Sequence, residues 1–390
     1  MRIGMVTACY KPVINGVTRM VALYKQYLEQ AGHEVTIFTL GEAAPAGDEP
    51  GVVRSPGLPL GQTGYYFGVR YTRPAQNLLA QMDILHCHHL LMSVELAHRY
   101  AHCPIVYTNH TRYDLYAAAY SHLPLTTTRA LLRQVWPALA SLGDVVIAPS
   151  ASVKEVLKQF GIHTPIEVIP NGIDLNLFYA PTRPRSKSDL SIPETSPLLA
   201  FVGRLATEKN LETLLDQFKQ VHDQAKSVGH MVHLMLVGDG PLQRKLPGWL
   251  AEKQLSGIVH LMGAVPYDEV ANWLAAADLF ISASVSEVHP LTIIEAMAAG
   301  LPVVGVSSPG LVDTVQPGIT GVLVDQPEKL AEATLALIRD EPMRQTMSAA
   351  ARQASQQYDI HYTIEQTLAL YARLLQNKQA KPGRRPIMSG

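Results

Sequence analysis

The sequence lacks several features that would assign it to a specialised class of protein. Its 390 residues include only three cysteines, which are too few, and odd in number, for a disulfide framework. It contains no CxxC pair of the kind found in structural zinc sites. Its 32 Lys and Arg balance 33 Asp and Glu, and the net charge of −1 argues against a dominant nucleic-acid-binding surface.

Long hydrophobic runs are also missing. No apolar stretch approaches the roughly 18–20 residues of a membrane-spanning helix. The N-terminus, MRIGMVTACYKP, enters a strand-like run at once and shows no signal-peptide pattern. We therefore expect a cytoplasmic protein, or one peripheral at the inner face of the membrane. At about 100–200 residues per domain, the length predicts two domains.

Short β-branched runs alternate with helix-length segments along the chain, interrupted by a Pro- and Gly-rich stretch at 41–64. The strand candidates are residues 2–8, 34–40, 83–89, 104–110, 144–150 and 166–172, and then 198–204, 232–240, 258–265, 278–286, 301–308 and 321–324. This alternation is typical of βαβ units with a parallel sheet, whose ligands bind at the carboxyl ends of the strands. We predict an α/β protein with two Rossmann-like domains facing each other across a cleft.

The domain boundary is placed by composition. Residues 180–197 are rich in Pro, Ser and charge, which indicates a linker or a surface loop. We predict domains over 1–178 and 179–360, a last helix over 361–378 and a basic, disordered tail over 379–390.

Two glutamates flank a predicted helix start in SEVHPLTIIEAMAAGLPVV, which begins at Ser286. Pro290 suits the first helical position and Gly300 the C-terminal cap, so the helix is expected over 291–299. Because a helix N-terminus attracts phosphate, Glu287 and Glu295 could hold hydroxyls on either side of a diphosphate. The spacing fits two surface charges equally well.

Two cations follow another predicted strand. FVGRLATEKN places Arg204 directly after the strand and Lys209 at the opening of the next helix. A forked and a compact cation suit a leaving group with two phosphates, although a solvated loop would look the same. VGDGP and HLMGAV add two further strand ends on the same edge of the sheet.

The combination of INGV, GRLATEKN, VGDGPL and SEVHPLTIIEAMAAGLPVV resembles the retaining nucleotide-sugar glycosyltransferases of family four, which have the GT-B fold. The resemblance runs from Arg2 to about Leu375. It implies a donor site on the C-terminal domain, an acceptor site on the N-terminal domain and a last helix that crosses back to the latter. It also implies a nucleotide diphosphate sugar and a hydroxyl acceptor as partners. No metal or other cofactor is expected, and the sequence contains no Asp-x-Asp motif.

The resemblance also implies roles for individual residues. Arg204 and Lys209 match the pair that neutralises the donor diphosphate, Glu295 the carboxylate that binds the ribose and Glu287 the one that contacts the donor sugar. His110, in TNHTRYDLY, matches the active-site histidine near that sugar. The implied catalytic residues are therefore His110, Glu287, Arg204 and Lys209.

Further donor contacts are implied at Val265, whose backbone would read the base, and at Leu291 and Thr292, which start the helix near the phosphates. Gly16 matches the glycine that lets the backbone approach the diphosphate. The HTRYDLY stretch is similar to that of bacterial hexosyltransferases acting on diacylglycerol-type lipids, and Asn15, Arg112 and Tyr113 are the acceptor-binding candidates.

One position departs from the family pattern. His289 and Pro290 stand where the family usually has an aromatic residue or Gln followed by Gly. Because proline has no N–H, one expected backbone bond to the sugar or phosphate is missing. This leaves the identity of the donor sugar open.

Two histidine- and arginine-rich segments have more than one interpretation. The run His86 to His89 suggests a metal site, but no carboxylate or further Cys/His motif completes one, so these residues are expected to line the floor of the cleft or to pack. The helix expected over 125–140 carries Arg129 and Arg133 beside apolar residues, as membrane-surface helices do. A helix in the domain core with a few surface arginines is the favoured alternative.

Other functions remain as alternatives. An NAD-dependent oxidoreductase would carry GxGxxG after the first strand, where this chain has ACYKPVINGV. A non-catalytic nucleotide-binding module would not require both the glutamate pair, Glu287 and Glu295, and the cation pair, Arg204 and Lys209. The presence of both pairs argues against this alternative. Within glycosyl transfer, the acceptor could be a membrane glycerolipid, a soluble sugar or a polysaccharide intermediate.

Overall fold

The structure is a computed structural model that describes residues 1–43, 47–61, 64–115 and 124–380. These residues form two compact units. The first comprises residues 1–114, 124–172 and the C-terminal helix Ile360–Ala380, and the second comprises Ile173–Asp359. The predicted boundary at 178/179 lies slightly later in the chain than this division. The predicted tail beyond residue 380 lies outside the described residues.

In the described part of the first unit, seven parallel strands form one sheet in the order β3-β2-β1-β6-β7-β8-β9. They are β1 (Arg2–Val6), β2 (Glu34–Leu40), β3 (Val52–Ser55), β6 (Ile84–Cys87), β7 (Ile105–Thr108), β8 (Val145–Ala148) and β9 (Ile166–Val168). A separate antiparallel hairpin pairs β4 (Leu58–Pro59) with β5 (Tyr66–Phe67). No strand was predicted at β3, β4 or β5, which fall in or next to the Pro- and Gly-rich stretch.

The described residues of the first unit also form helices along the chain. They are Gly16–Gln30, Arg73–Leu79, Glu95–Tyr100, Leu125–Ala140, Ala151–Gln159 and the C-terminal helix. The C-terminal helix packs within the first unit, because the Tyr24 and Thr367 hydroxyls lie 3.3 Å apart and the Tyr371 hydroxyl lies 2.6 Å from Nδ1 of His86. This agrees with the return of the last helix that the resemblance implied.

In the second unit, six parallel strands form a sheet in the order β12-β11-β10-β13-β14-β15 among the described residues. They are β10 (Leu198–Val202), β11 (His233–Val237), β12 (Val259–Gly263), β13 (Leu279–Ser282), β14 (Val303–Val306) and β15 (Gly321–Val324). The helices are Leu175–Tyr179, Leu211–Lys226, Leu246–Glu252, Tyr267–Leu274, Leu291–Ala298, Pro309–Val312, Leu330–Arg339 and Glu341–Ala354. Four short 3₁₀ turns are Lys187–Leu190, Thr207–Lys209, Pro327–Lys329 and Ser355–Tyr358.

Residues 180–197 belong to the surface of the second unit. The backbone N–H of Arg183 donates to Oδ1 of Asn272 at 2.9 Å. Lys187 pairs with Asp278 at 2.9 Å. Of the two interpretations offered by composition, the surface loop is the one that the structure shows. None of the described helices is both long and apolar enough to cross a membrane.

Candidate active site

A lysine and a glutamate meet at the carboxyl edge of the second sheet. Lys209 ends the turn that follows β10, and Glu287 lies in the loop that follows β13. These two strands are neighbours in the sheet, so their ends lie side by side. Nζ of Lys209 lies 2.7 Å from Oε1 of Glu287, and the side chains are 22% and 12% exposed. The structure therefore brings together two predicted donor-site residues.

The Glu287 carboxylate is held in its ionised form. Burial raises its pKa, but the charge and hydrogen bond of Lys209, with a hydrogen bond from Ser284, outweigh that effect and leave the pKa below its ordinary value. An ionised carboxylate only accepts hydrogen bonds. Glu287 is thus suited to binding hydroxyl groups from a ligand at neutral pH.

The loop that carries Arg204 is fixed by the neighbouring strand ends. The N–H groups of Gly203 and Leu205 donate to the carbonyls of Val237 and Asp239 at 3.0 and 2.9 Å. A Cβ at Gly238 would lie 1.9 Å from the Gly203 carbonyl oxygen, so glycine is required for this close approach. The half-buried Arg204 side chain therefore starts from a rigid backbone.

The third predicted strand end lies on the same edge. The N–H of Gly238 donates to the carbonyl of Gly263 at 2.8 Å. Gly263 lies two residues before Val265 in the chain. Val265 is half-buried in the loop that follows β12. The position predicted to read the base thus lies beyond the Arg204 loop, with the Gly238 loop between them.

The helix after Glu287 differs slightly from the prediction. Pro290 is its N-cap, with an extended backbone (φ −76°, ψ 113°), so the first helical residue is Leu291 and not Pro290. The helix ends at Ala298, and Gly300 beyond it has a φ of +83°. Leu291 is buried and Thr292 is half-buried at the start of the helix.

Glu295 lies one turn inside this helix and is 0% exposed. The interpretation of both glutamates as surface charges is therefore wrong. The Glu295 side chain is therefore not accessible to a ribose in this structure. The predicted ribose contact stays a prediction.

Two features that the sequence analysis missed support the Glu287 loop. A Cβ at Gly310 would lie 2.0 Å from the carbonyl oxygen of Val288. The His289 ring packs edge-on against Tyr358, with the ring centres 5.2 Å apart. Burial lowers the pKa of His289 to about 4, so the ring is neutral at pH 7. Gly310 follows a predicted strand, but nothing in the sequence tied it or Tyr358 to this loop.

Gly310→Ala is expected to destabilise the protein by about 1–3 kcal/mol, because a methyl group cannot fit against the Val288 carbonyl without moving the loop. Gly248→Ala is the matched control, since a Cβ there meets nothing within 4 Å and the position lies inside the helix Leu246–Glu252. That variant should be more stable by about 0.5–1 kcal/mol. Urea unfolding measures both values, and equal stability of the two variants would contradict this account of the loop.

In the first unit, His110 lies directly against His88. Both follow strand ends, after β7 and β6, which are neighbours in the sheet. Nε2 of His110 lies 3.1 Å from Nδ1 of His88, and the two rings are nearly parallel, at 13°. His88 is 1% exposed and its ring is held in place by burial, so its contact fixes the orientation of the more exposed His110.

The other histidines of this run are packed. Nδ1 of His89 lies 3.0 Å from the Thr7 hydroxyl. Burial lowers the pKa of His86 to about 3 and that of His89 to about 4, and it places that of His88 well below the ordinary value. These rings are therefore neutral at pH 7. Within the described ranges, no three His, Cys, Asp or Glu side chains are grouped so that they could hold a metal ion.

Asn15 and Gly16 form the start of the helix Gly16–Gln30. Oδ1 of Asn15 accepts hydrogen bonds from the N–H groups of Val17 and Thr18, both at 2.9 Å, so this side chain is an N-cap. A Cβ at Gly16 would meet nothing within 4 Å. The fold therefore does not require glycine there, and the space beside it is open to a ligand.

Arg112 and Tyr113, which were predicted to bind the acceptor, both form hydrogen bonds within the first unit. Arg112 is buried and forms two hydrogen bonds with the buried Asp114, at 2.9 and 2.8 Å. Burial raises the pKa of Asp114, but Arg112 and Arg129 outweigh this and lower it below its ordinary value. The Tyr113 hydroxyl accepts a hydrogen bond from the N–H of Leu90 at 3.0 Å. Both residues thus stabilise the fold locally.

The helix Leu125–Ala140 is not the core helix that the sequence favoured. Of its residues, all of which are described, Thr128, Trp136 and Ala140 are buried. Three apolar side chains point to solvent and are 36–56% exposed, namely Leu125, Leu131 and Val135. Arg129 and Arg133 are exposed beside them.

The two halves of the chain match two sequence families of glycosyltransferases. Residues 14–177 match the model described as "Glycosyltransferase Family 4", and residues 182–354 match "Glycosyl transferases group 1". The protein is therefore a glycosyltransferase. The first model describes the family whose motifs the sequence resembles, and the predicted enzyme class is confirmed.

Similar proteins include α-monoglucosyldiacylglycerol synthases from two bacteria. The one from Streptococcus pneumoniae is 29% identical over 88% of this chain and 80% of its own length. The one from Acholeplasma laidlawii is 27% identical over 98% of this chain and 99% of its own length. Among solved structures, Anabaena Alr3699/HepE in complex with UDP-glucose superposes with a TM-score of 0.74 at 21% identity, over 96% of this chain and all of that chain. This likeness confirms the predicted α/β fold with two Rossmann-like domains.

Proposed function

We propose that the protein transfers a hexose from a nucleotide diphosphate sugar to a hydroxyl group of a membrane glycerolipid, without a metal ion and with retention of anomeric configuration. The observation that carries the proposal is the Lys209–Glu287 pair beside the rigid Arg204 loop. These residues supply cations for a diphosphate and a carboxylate for sugar hydroxyls at one edge of one sheet.

The departing diphosphate is the group that most needs stabilisation. As its bond to the anomeric carbon breaks, negative charge develops on the phosphate oxygens, and preorganised donors aimed there are usually the largest catalytic contribution. Lys209 is already held at the strand end by Glu287, and Arg204 extends from a rigid loop. The first N–H groups of the helix Leu291–Ala298 add donors without charge.

Glu287 positions the sugar in this scheme. Its ionised carboxylate accepts hydrogen bonds from sugar hydroxyls and stays bridged to Lys209. The acceptor oxygen forms a bond to the anomeric carbon on the face from which the diphosphate leaves, and the acceptor proton passes to a phosphate oxygen. Retention follows from this geometry without a covalent sugar–enzyme intermediate. His110 is the residue of the first unit that we assign to the transferred sugar.

Two observations support a glycerolipid acceptor. The two bacterial relatives described above are named for the synthesis of a glucosylated diacylglycerol. The helix Leu125–Ala140 exposes Leu131 between Arg129 and Arg133, and such a combination binds anionic lipid surfaces. We therefore place the membrane contact of the first unit on this helix. A soluble sugar acceptor is the second candidate, because the same donor chemistry serves it.

Incubation with a UDP- or GDP-hexose and vesicles that contain diacylglycerol should yield a hexosyl lipid, detected by its mass. Dialysis against a chelator should leave the rate unchanged, because Arg204 and Lys209 neutralise the diphosphate. A rate that falls on chelation and returns with Mn²⁺ or Mg²⁺ would contradict the metal-independent mechanism. Transfer to soluble sugars but not to lipid would select the second candidate.

A further inference from the structure

The hairpin of β4 and β5 carries an uncovered apolar face. Leu58 lies opposite Phe67 in the antiparallel pairing. Leu60 follows β4 directly, and Val69 lies two residues beyond β5. These four side chains are between 43% and 70% exposed. We call them the hairpin face.

The opposite face of the hairpin is packed against the first unit. A Cβ at Gly41 would lie 2.4 Å from the Tyr66 ring, so this ring rests directly on the glycine. A Cβ at Gly68 would lie 3.0 Å from the side chain of Leu40 in β2. The inner side of the hairpin therefore holds it in place, and the apolar side chains of the hairpin face lie on its outer side.

The segments that carry the hairpin and the helix Leu125–Ala140 contain basic residues but no acidic ones. Residues 56–82 contain no Asp or Glu but include Arg70 and Arg73, which are both exposed. Residues 115–143 also contain no Asp or Glu, and they include the helix Leu125–Ala140 with its two exposed arginines. An anionic lipid surface attracts segments that expose apolar and basic side chains and contain no Asp or Glu.

The two segments are joined through the turn at residues 90–94. The Tyr65 hydroxyl of the hairpin lies 3.4 Å from Nε2 of His89. Leu91, two residues later, is 50% exposed. Tyr113, which accepts the Leu90 N–H, packs edge-on against Trp136 of the helix, with the ring centres 5.3 Å apart. Exposed apolar side chains thus occur on the hairpin, on the turn and on the helix.

We propose that the hairpin face is a second membrane contact of the first unit, which inserts its apolar side chains into an anionic bilayer while the helix Leu125–Ala140 binds beside it. This inference rests on the proposed lipid acceptor. Two contacts on one compact unit would hold it at the lipid surface in one orientation. A lipid hydroxyl could then reach the enzyme without leaving the bilayer.

The test is flotation of the full chain with vesicles of phosphatidylcholine and phosphatidylglycerol that contain no diacylglycerol. Leu58→Ser with Phe67→Ser should weaken binding about tenfold or more, because it removes two large apolar side chains from the contact. The matched control is Val228→Ser with Ile319→Ser, which changes two side chains of the second unit that are 62% and 54% exposed. The control should bind as the wild type does. All four substituted positions are exposed, so thermal unfolding should be nearly unchanged.

Three results would overturn the inference: equal binding of the hairpin variant and the wild type, equal loss in both variants, or a wild-type dimer that the hairpin variant dissociates in light scattering. Transfer to a water-soluble short-chain diacylglycerol separates this inference from the proposed function. The hairpin variant should retain that activity. A wild type that floats with vesicles but transfers no sugar to any lipid would refute the proposed acceptor and leave the membrane contact in place.

Discussion

Glu287→Gln is expected to lower the rate of sugar transfer by about 10²–10³-fold while the protein remains folded. The amide keeps the shape of the side chain but loses the charge that accepts sugar hydroxyls and that holds Lys209 at the strand end at 2.7 Å. Steady-state rates with saturating donor measure the effect, and thermal unfolding measures the fold.

The matched control for this variant is Glu328→Gln. Glu328 is exposed in the turn Pro327–Lys329 of the same unit, so the substitution removes the same charge at a different place. It should transfer sugar at the wild-type rate. Full activity in Glu287→Gln would refute the role that we assign to Glu287, whereas equal losses in both variants would indicate an effect of net charge.

Arg204→Ala combined with Lys209→Ala is expected to weaken UDP or GDP binding by about 10²–10⁴-fold. A hydrogen bond to a charged group typically contributes about 1.5–3 kcal/mol, and this variant removes two cations that we place against the diphosphate. Isothermal titration calorimetry with the nucleotide alone measures the change. Because UDP and GDP lack the transferred sugar, this measurement does not depend on contacts between Glu287 and that sugar.

Lys226→Ala with Arg339→Ala is the corresponding control. Both residues are exposed at the ends of helices of the second unit, so the pair removes the same two charges from its surface. Nucleotide affinity should stay at the wild-type value. If the Arg204 and Lys209 variant also binds normally, the diphosphate does not lie at this edge of the sheet.

Much of the fold could be predicted because each parallel strand forms a continuous apolar run. The strand at residues 34–40 has the predicted bounds, and the one predicted at 104–110 shortens to Ile105–Thr108 because its polar end forms the loop that carries His110. The strands at 52–55, 58–59 and 66–67 gave no such signal. They are short, and prolines and glycines surround them.

The site could be predicted in its residues but not in its contacts. Lys209 and Glu287 are 78 positions apart and meet because β10 pairs with β13 on one side and with β11 on the other. That strand order cannot be read from local patterns. The burial of Arg112 against Asp114 likewise depends on tertiary packing, as does the exposure of the helix Leu125–Ala140.

The proposed reaction transfers a hexose, with retention, from a nucleotide diphosphate sugar to a lipid hydroxyl. NMR of the anomeric centre in the product made from UDP-glucose or GDP-mannose and diacylglycerol tests it most directly. We expect a hexosyl lipid with the same α configuration as the donor sugar. A β-linked product, or no lipid product with either donor while a soluble sugar is glycosylated, would contradict it.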